Sequence, residues 1–575
     1  MTHSALLRPP ASSRPAPLWP SSPWGPSSRG LPWHRDPGAA AGATSASNRA
    51  AAVSRPGSHA EVGGARAALR AVLLLLVAWL VLAAPGRAQG EETVRDFRKF
   101  YREAKTTAER VEYVLSLEKI ESTGVVDVLV PVLKSEEPDV VRAAIRVLAG
   151  FKTLEPVDAL VKTAESDKTE SVRLGILQAI GQGRYTSAAP ALLAMLPDKS
   201  WDVRRRAVEA LGAFKDAAHG PAIAALCVDP EPAVRGSALD ALALLKSELV
   251  IAPAISSLAD PIWQVRASAI GALAKVRRQE SIEPLINRLA VEEGRLRMDI
   301  GLALDEITGK TLGDRHEMWQ QFWSSYKDRF KIPTDAELAK LRQQQKETRE
   351  KYKPSGPQTT YHGIDSPSRS ILFVIDVSGS MENLVVEKER FQDGGYPSMM
   401  RIDIVKVELA RTIERLEPYV KFNILAFGTD VKPWKKELVP ANVLNRTAGK
   451  DWALKLEPLG GSSKQDLASV GLTGAANLEA GKTNTWGALS WALGIAGRGA
   501  KDKNYAVAVD TVFFLSDGRP SHGDYVDPED ILREFRAANK LRKVVLHTIA
   551  IGEFQKDFMK RLAEENGGVF VDLGR

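Results

Sequence analysis

The chain has 575 residues, 44% of them hydrophobic and 26% charged, with a single cysteine, Cys227. That length predicts two or three domains, and one thiol excludes an internal disulfide, a cysteine-based zinc site and an iron–sulfur cluster. The net charge of +7 does not imply nucleic-acid binding, because residues 1–88 carry nine Arg against only Asp36 and Glu61, and the rest of the chain is balanced; without that segment no basic field is left to hold phosphates.

Residues 1–61 are rich in Pro, Ala, Ser, Gly and Arg and show neither helical nor strand periodicity, so they are expected to stay disordered. A basic flank from Arg66 to Arg70 then leads into the apolar run Ala71–Ala84, with small residues at Gly86 and Ala88. The run is shorter than the about 20 residues a membrane-spanning helix needs. Residues 62–88 read as a secretory signal peptide cleaved near Ala88. A signal does not sit behind so long a leader, so translation is expected to start near Val62, with 1–61 not made. An uncleaved membrane anchor is the alternative. The mature chain is expected to be exported, whether periplasmic, cell-surface or secreted.

The next segment is repetitive. Val141-Arg142, Val172-Arg173, Val203-Arg204, Val234-Arg235, Val265-Arg266 and Leu296-Arg297 recur at one constant step. The columns Ile145, Ile176, Ala207, Ala238, Ala269, Ile300 and Ala149, Ile180, Leu211, Leu242, Leu273, Leu304 keep the same step, as does a small-residue column from Ala179 to Ala303. Within one repeat the apolar positions fall on one helical face. Pro190, Pro221, Pro253 and Pro284 are expected to open a second helix in each repeat, where the missing N–H costs nothing. Two helices per step predict a stacked array over 91–330, because a lone repeat cannot cover its own apolar face. The pattern resembles short HEAT-like repeats. The arginine column reads as a ladder satisfying acids or carbonyls of neighbouring loops, and Trp319 and Trp323 as a cap on the last repeat. Cys227 is expected in the core of a repeat helix. Residues 331–368 are read as a charged helical spacer, Ala336 to Lys353, and a linker broken at Pro354 and Pro357.

From 369 to 575 strands and helices alternate. Ile371–Asp376, Lys421–Phe427, Thr511–Leu515 and Val544–Ala550 are near-continuous apolar runs, as a parallel sheet buried on both faces requires. Ile402–Leu416, Asn484–Ile495, Pro528–Leu541 and Gln555–Glu565 read as the helices between them. The fold class is therefore multidomain: an all-α solenoid followed by a doubly wound α/β domain, with ligands expected at the carboxyl ends of the strands. There the sequence places Asp376-Val-Ser378-Gly-Ser380, Gly481-Lys-Thr483 and Ser516-Asp517-Gly. Two carboxylates and three hydroxyls make an all-oxygen set suited to a hard divalent cation, Mg²⁺ first and Mn²⁺ or Ca²⁺ as substitutes.

Ile371-Leu-Phe-Val-Ile-Asp-Val-Ser-Gly-Ser-Met resembles the first strand of a von Willebrand factor type A domain, and Asp376, Ser378, Ser380, Thr483 and Asp517 match the five side chains of that family's metal-ion-dependent adhesion site. The resemblance implies a bound cation that accepts a Glu or Asp from a protein partner, with neutral hydroxyls keeping the metal electrophilic. Two stretches depart from the family, Asn383–Met400 and Gly460–Ala480, and Ser462 in the second is the alternative to Thr483. Both inserts are expected near the metal. Trp486 and Trp491 read as helix core. Ala476–Thr483 fits a relaxed phosphate loop but lacks a preceding strand. The five histidines after Ala88, namely His219, His316, His362, His522 and His547, fall in no metal-ligand spacing; His522 reads as a surface-loop residue. The expected function is a non-enzymatic exported adaptor, with a second partner surface on the solenoid. The alternative is a regulatory or substrate-delivery subunit of a larger enzyme or cell-envelope assembly.

Overall fold

The structure, a computed structural model, describes residues 90–344, 358–458, 481–494, 508–552 and 556–574. The signal-peptide reading, the start near Val62, Ser462 and the whole 460–480 insert lie outside the described residues.

The solenoid begins with a helix over 90–103 and continues as paired helices. The longer helix of each repeat carries the Val-Arg column: Pro138–Leu148, Glu170–Gly183, Trp201–Phe214, Pro232–Leu244, Trp263–Val276 and Arg295–Thr308. Val172, Val203, Val265 and Leu296 are buried, as are Ile176, Ala207, Ala238, Ala269 and Ile300, and all join one continuous core. The small-residue column lets backbones touch: a Cβ placed on Gly212 would stand 2.8 Å from the Cβ of Ala241. The shorter helices, Ala189–Ala194, Gly220–Ala224, Ile251–Ser257 and Ile282–Leu289, hold their prolines within the first three residues, each behind a short 3₁₀ turn. The chain leaves the longer helices through a left-handed residue at Arg184, Lys215, Lys246 and Arg277, with φ of 53°, 59°, 52° and 50°. That column keeps the step of the arginines and turns the chain into the next repeat.

The arginine column forms a ladder. Arg173 pairs with Asp198 at 2.5 Å, Arg204 with Asp229 at 2.7 Å, Arg235 with Asp260 at 2.8 Å and Arg266 with Glu292 at 3.1 Å. Arg204, Arg235 and Arg266 also each donate to a carbonyl of the loop before their own helix, those of Asp198, Asp229 and Asp260. Each rung thus ties two loops and satisfies carbonyls that a bare repeat end would leave open. Trp319 is fully buried with its indole N–H on the Gly313 carbonyl, closing the array. The described part of the expected helical spacer packs on this end: the helix Asp335–Gln344 buries Leu338, and Arg277 and Arg342 pair with Asp335 and Glu306; the rest of that expected helix, to Lys353, and the break at Pro354 and Pro357 lie outside the described residues. The single apolar face of Asp335–Gln344 was too short to show as periodicity.

The α/β domain starts with a hairpin, β1 (Thr359–Tyr361) and β2 (Ile364–Ser366), in a stretch expected to be linker. Tyr361 is fully buried against Phe373 and Phe513. The main sheet contains β3 (Ser370–Asp376), β4 (Lys421–Phe427), β5 (Val431–Pro433), β6 (Val439–Pro440), β7 (Thr511–Ser516), β8 (Val545–Ala550) and β9 (Phe570–Asp572). Its order is β5-β4-β3-β7-β8-β9, with β6 also on β4; β3, β4, β7, β8 and β9 run parallel, and β5 and β6 lie antiparallel to β4. The four expected strands are all present. The edge strands β5, β6 and β9 and the helix Val443–Leu454 were not anticipated, because such short or half-polar segments carry no clear period. Two apolar layers sandwich the sheet, one on each face.

The helix Pro528–Arg542 of this domain lies against the longer helices of the solenoid. Arg142 holds its guanidinium 3.9 Å from the centre of the Tyr525 ring, bonds to that residue's hydroxyl and pairs with Glu534 at 3.4 Å. Lys543 pairs with Asp240 at 2.6 Å, and Arg295 donates to the carbonyls of Asp510 and Lys543. Arg142 is therefore the ladder's exception. Its partners are Asp139 of its own helix and Glu534, while the counterpart acid by the repeat, Asp167, accepts from the backbone of Thr169 as the ladder acids do from the residue two further on.

Candidate metal centre

β3 is buried along nearly its whole length between β4 and β7, and its last residue, Asp376, lies level with Phe427 of β4. The chain then leaves the sheet: the Val377 N–H still reaches the Phe427 carbonyl at 2.8 Å, and the Gly379 N–H reaches the Gly481 carbonyl at 3.2 Å. That second bond ties the loop after β3 to the loop carrying Thr483. β7 delivers Ser516 and Asp517 to the same edge, the carboxyl end of neighbouring parallel strands.

The side chains form a connected set. Asp376 is fully buried; its Oδ1 accepts from the Ser378 N–H at 2.8 Å and its Oδ2 from the Ser516 hydroxyl. The Ser378 and Ser380 hydroxyls are 3.2 Å apart, and Ser380 donates to Asp517 Oδ1 at 2.7 Å. Thr483 is buried, with its N–H on Ser521 Oγ at 2.9 Å and its carbonyl accepting from the N–H groups of Ser521 and His522. Gly518 shows how close Thr483 comes: a Cβ there would stand 3.1 Å from Thr483 Oγ1 and 3.5 Å from Ser380 Oγ. All five expected residues thus meet at one rim, and glycine keeps the space between two of the hydroxyls clear.

The electrostatics are those of a site short of positive charge. Burial, and then the nearby charge of Asp517, push the Asp376 carboxyl up to about 7. Two carboxylates this close resist ionising together unless a cation is shared between them. Among the described residues no three or more His, Cys, Asp or Glu are grouped so as to hold a metal ion; the side chains that meet at this rim are two carboxylates with hydroxyls. That chemistry fits a hard divalent cation.

Sequence reasoning missed Arg401. It is the first residue of the helix Arg401–Glu414, only 8% exposed, and its Nη1 pairs with Asp517 Oδ2 at 2.6 Å. Its Nε is buried with no hydrogen-bond partner among the described residues. The 383–400 insert delivers it. Leu384 and Met400 form an antiparallel bridge, the Val385 N–H donates to the Met399 carbonyl, and the Arg401 N–H donates to the Asn383 carbonyl, so the insert closes on itself and returns the chain to the rim. One signal was available, since a cation at a helix N-terminus opposes the macrodipole and implies a compensating acid.

Trp486 is buried with its ring 4.9 Å from that of Tyr525, and Trp491 packs partly buried against the same layer. His522 is half-buried in the loop after Asp517 and meets the Thr483 carbonyl through its backbone N–H. Cys227 is buried in the solenoid core, and burial pushes its thiol up to about 12, which makes it unreactive.

A family model of HEAT repeats matches residues 94–181, 157–243 and 220–305, and one of the von Willebrand factor type A domain matches residues 369–572. The chain is therefore a HEAT-repeat solenoid followed by a type A domain. Over 210 residues it is 25% identical to inter-alpha-trypsin inhibitor heavy chain H4 of Homo sapiens, covering 36% of this chain and 18% of that protein. It is 26% identical over 206 residues to inter-alpha-trypsin inhibitor heavy chain H1 of Mesocricetus auratus, again 36% of this chain and 18% of the relative. The chain thus matches under a fifth of the length of these relatives. Among solved structures, a designed armadillo repeat protein in complex with the peptide (KR)4 aligns with 18% identity over 31% of this chain and 98% of its own, with a TM-score of 0.25. HEAT repeats and a type A domain together support a protein-interaction scaffold. Among the described residues no helix is long and apolar enough to cross a membrane.

Proposed function

We propose that the protein is an exported, non-enzymatic adaptor whose type A domain binds a protein partner through a divalent cation. Asp376, Ser378, Ser380, Thr483 and Asp517 would hold the metal, Mg²⁺ or a substitute such as Mn²⁺ or Ca²⁺. The metal supplies a positive centre for a Glu or Asp from the partner, and the hydroxyls leave that centre's charge largely unquenched. The observation that carries this reading is the unbroken contact chain Ser378–Ser380–Asp517 beside the buried Asp376. Export rests on the basic flank and apolar run over 62–88.

The test has two stages. Titration calorimetry with Mn²⁺ and Mg²⁺ on the full chain is expected to show one site, lost in Asp376→Ala. Affinity capture from the source cells, with Mg²⁺, with chelator and with Asp376→Ala, is expected to retain the partner only in the first condition. Equal retention in all three would remove the cation from the contact.

A further inference from the structure

A guanidinium already stands where a cation should. Arg401 contacts one oxygen of Asp517 while Ser380 takes the other, so both oxygens of that carboxylate are engaged. The arginine is nine-tenths buried, its Nε has no hydrogen-bond partner among the described residues, and a Cβ on Gly552 would sit 3.2 Å from its Nη1. Its guanidinium meets Asp517 at 2.6 Å, and its backbone N–H is held by the Asn383 carbonyl.

Charge decides the outcome of adding a metal. With both aspartates ionised, as ligating a metal requires, they and the guanidinium sum to a single negative charge. A divalent ion added there leaves a buried excess of positive charge, with the guanidinium and the metal drawn to one carboxylate. Like charges at such range repel strongly where water is excluded. We infer that Arg401 is a resident counter-charge that competes with the metal for Asp517, so that cation binding must loosen the Arg401–Asp517 pair. The inference rests on the metal-centre reading. It makes the site a weak cation binder by construction, with its affinity set by an insert, residues 383–400, that returns the chain to Arg401. By reciprocity, whatever draws Arg401 away tightens the metal, and the metal loosens Arg401.

The test compares the full chain with Arg401→Met by Mn²⁺ calorimetry and by thermal unfolding with and without Mn²⁺. Arg401→Met is expected to bind Mn²⁺ about tenfold more tightly, within the usual span of coupling between two sites. It is also expected to melt lower in chelator and to gain more from Mn²⁺ than the wild type does. If the wild type binds Mn²⁺ and a folded Arg401→Met binds it equally or less well, Arg401 does not compete and the inference fails while the metal centre stands. If neither binds Mn²⁺ although both fold, the metal centre falls and takes the inference with it. Should Arg401→Met not fold, Arg401→Gln, which keeps a hydrogen-bond donor for Asp517, decides by the same comparison.

Discussion

The two halves of the molecule use the arginine–acid pair to opposite ends. In the solenoid, Arg204, Arg235 and Arg266 each meet an acid of the following repeat and a carbonyl of the preceding loop, so every charge has several partners. The balance there favours the ionised pair: burial would raise Asp198, but the hydrogen bonds from Arg173 and the backbone of Ser200 bring it below its ordinary range. In the α/β domain, Arg401 meets one carboxylate in a place where two are crowded, and Asp376 is pushed up by burial and by Asp517. The ladder is a finished structure. The rim is an unfinished one, with charge arranged to be rearranged. A pair of this kind is evidence for function only when its geometry leaves something unsatisfied.

Three substitutions would break or sharpen that contrast. The largest effect is expected in the ladder. Asp260→Ala strands Arg235, half-satisfied and mostly buried, and should cost about 3 kcal/mol of unfolding free energy, read by urea denaturation, with Mn²⁺ binding by the folded protein unchanged. At the rim the sign reverses. Asp376→Asn removes one of two crowded charges while keeping the shape, and should abolish Mn²⁺ binding yet stabilise the metal-free protein by about 1 kcal/mol at pH 8. A loss of stability there would mean that the rim is built like the ladder. The smallest effect belongs to Arg142. Arg142→Ala removes the contact with the Tyr525 ring and the pairs with Asp139 and Glu534; burial already pushes Glu534 up, so that acid can take up a proton when its partner goes, and the cost should be about 1 kcal/mol. Hydrogen exchange should quicken in Pro528–Arg542 and leave Glu170–Gly183 unchanged.

Much of this was legible in the sequence because it repeats or alternates. A constant step exposes the solenoid column by column, and apolar runs ending in Asp376 and Ser516-Asp517 mark the strands and the rim together. Contacts supplied by long-range pairing stayed hidden. Arg401 lies well beyond Ser380 in the chain and reaches the rim only because Leu384 pairs with Met400. Arg142 is indistinguishable from Arg173 in its column, and only the tertiary structure shows that Arg173 completes a rung while Arg142 faces Tyr525. The hairpin at Tyr361 was obscured by the prolines and glycines around it, whose local signal is that of a linker.

The solenoid face covered by Pro528–Arg542 carries a consequence for any visitor. A tethered neighbour competes for its own docking surface as though present at about millimolar concentration. A protein ligand for the Arg142, Asp240 and Arg295 side of the array would have to outbid that local supply before it made any net contact, and molecules of lesser affinity would be filtered out by the chain itself.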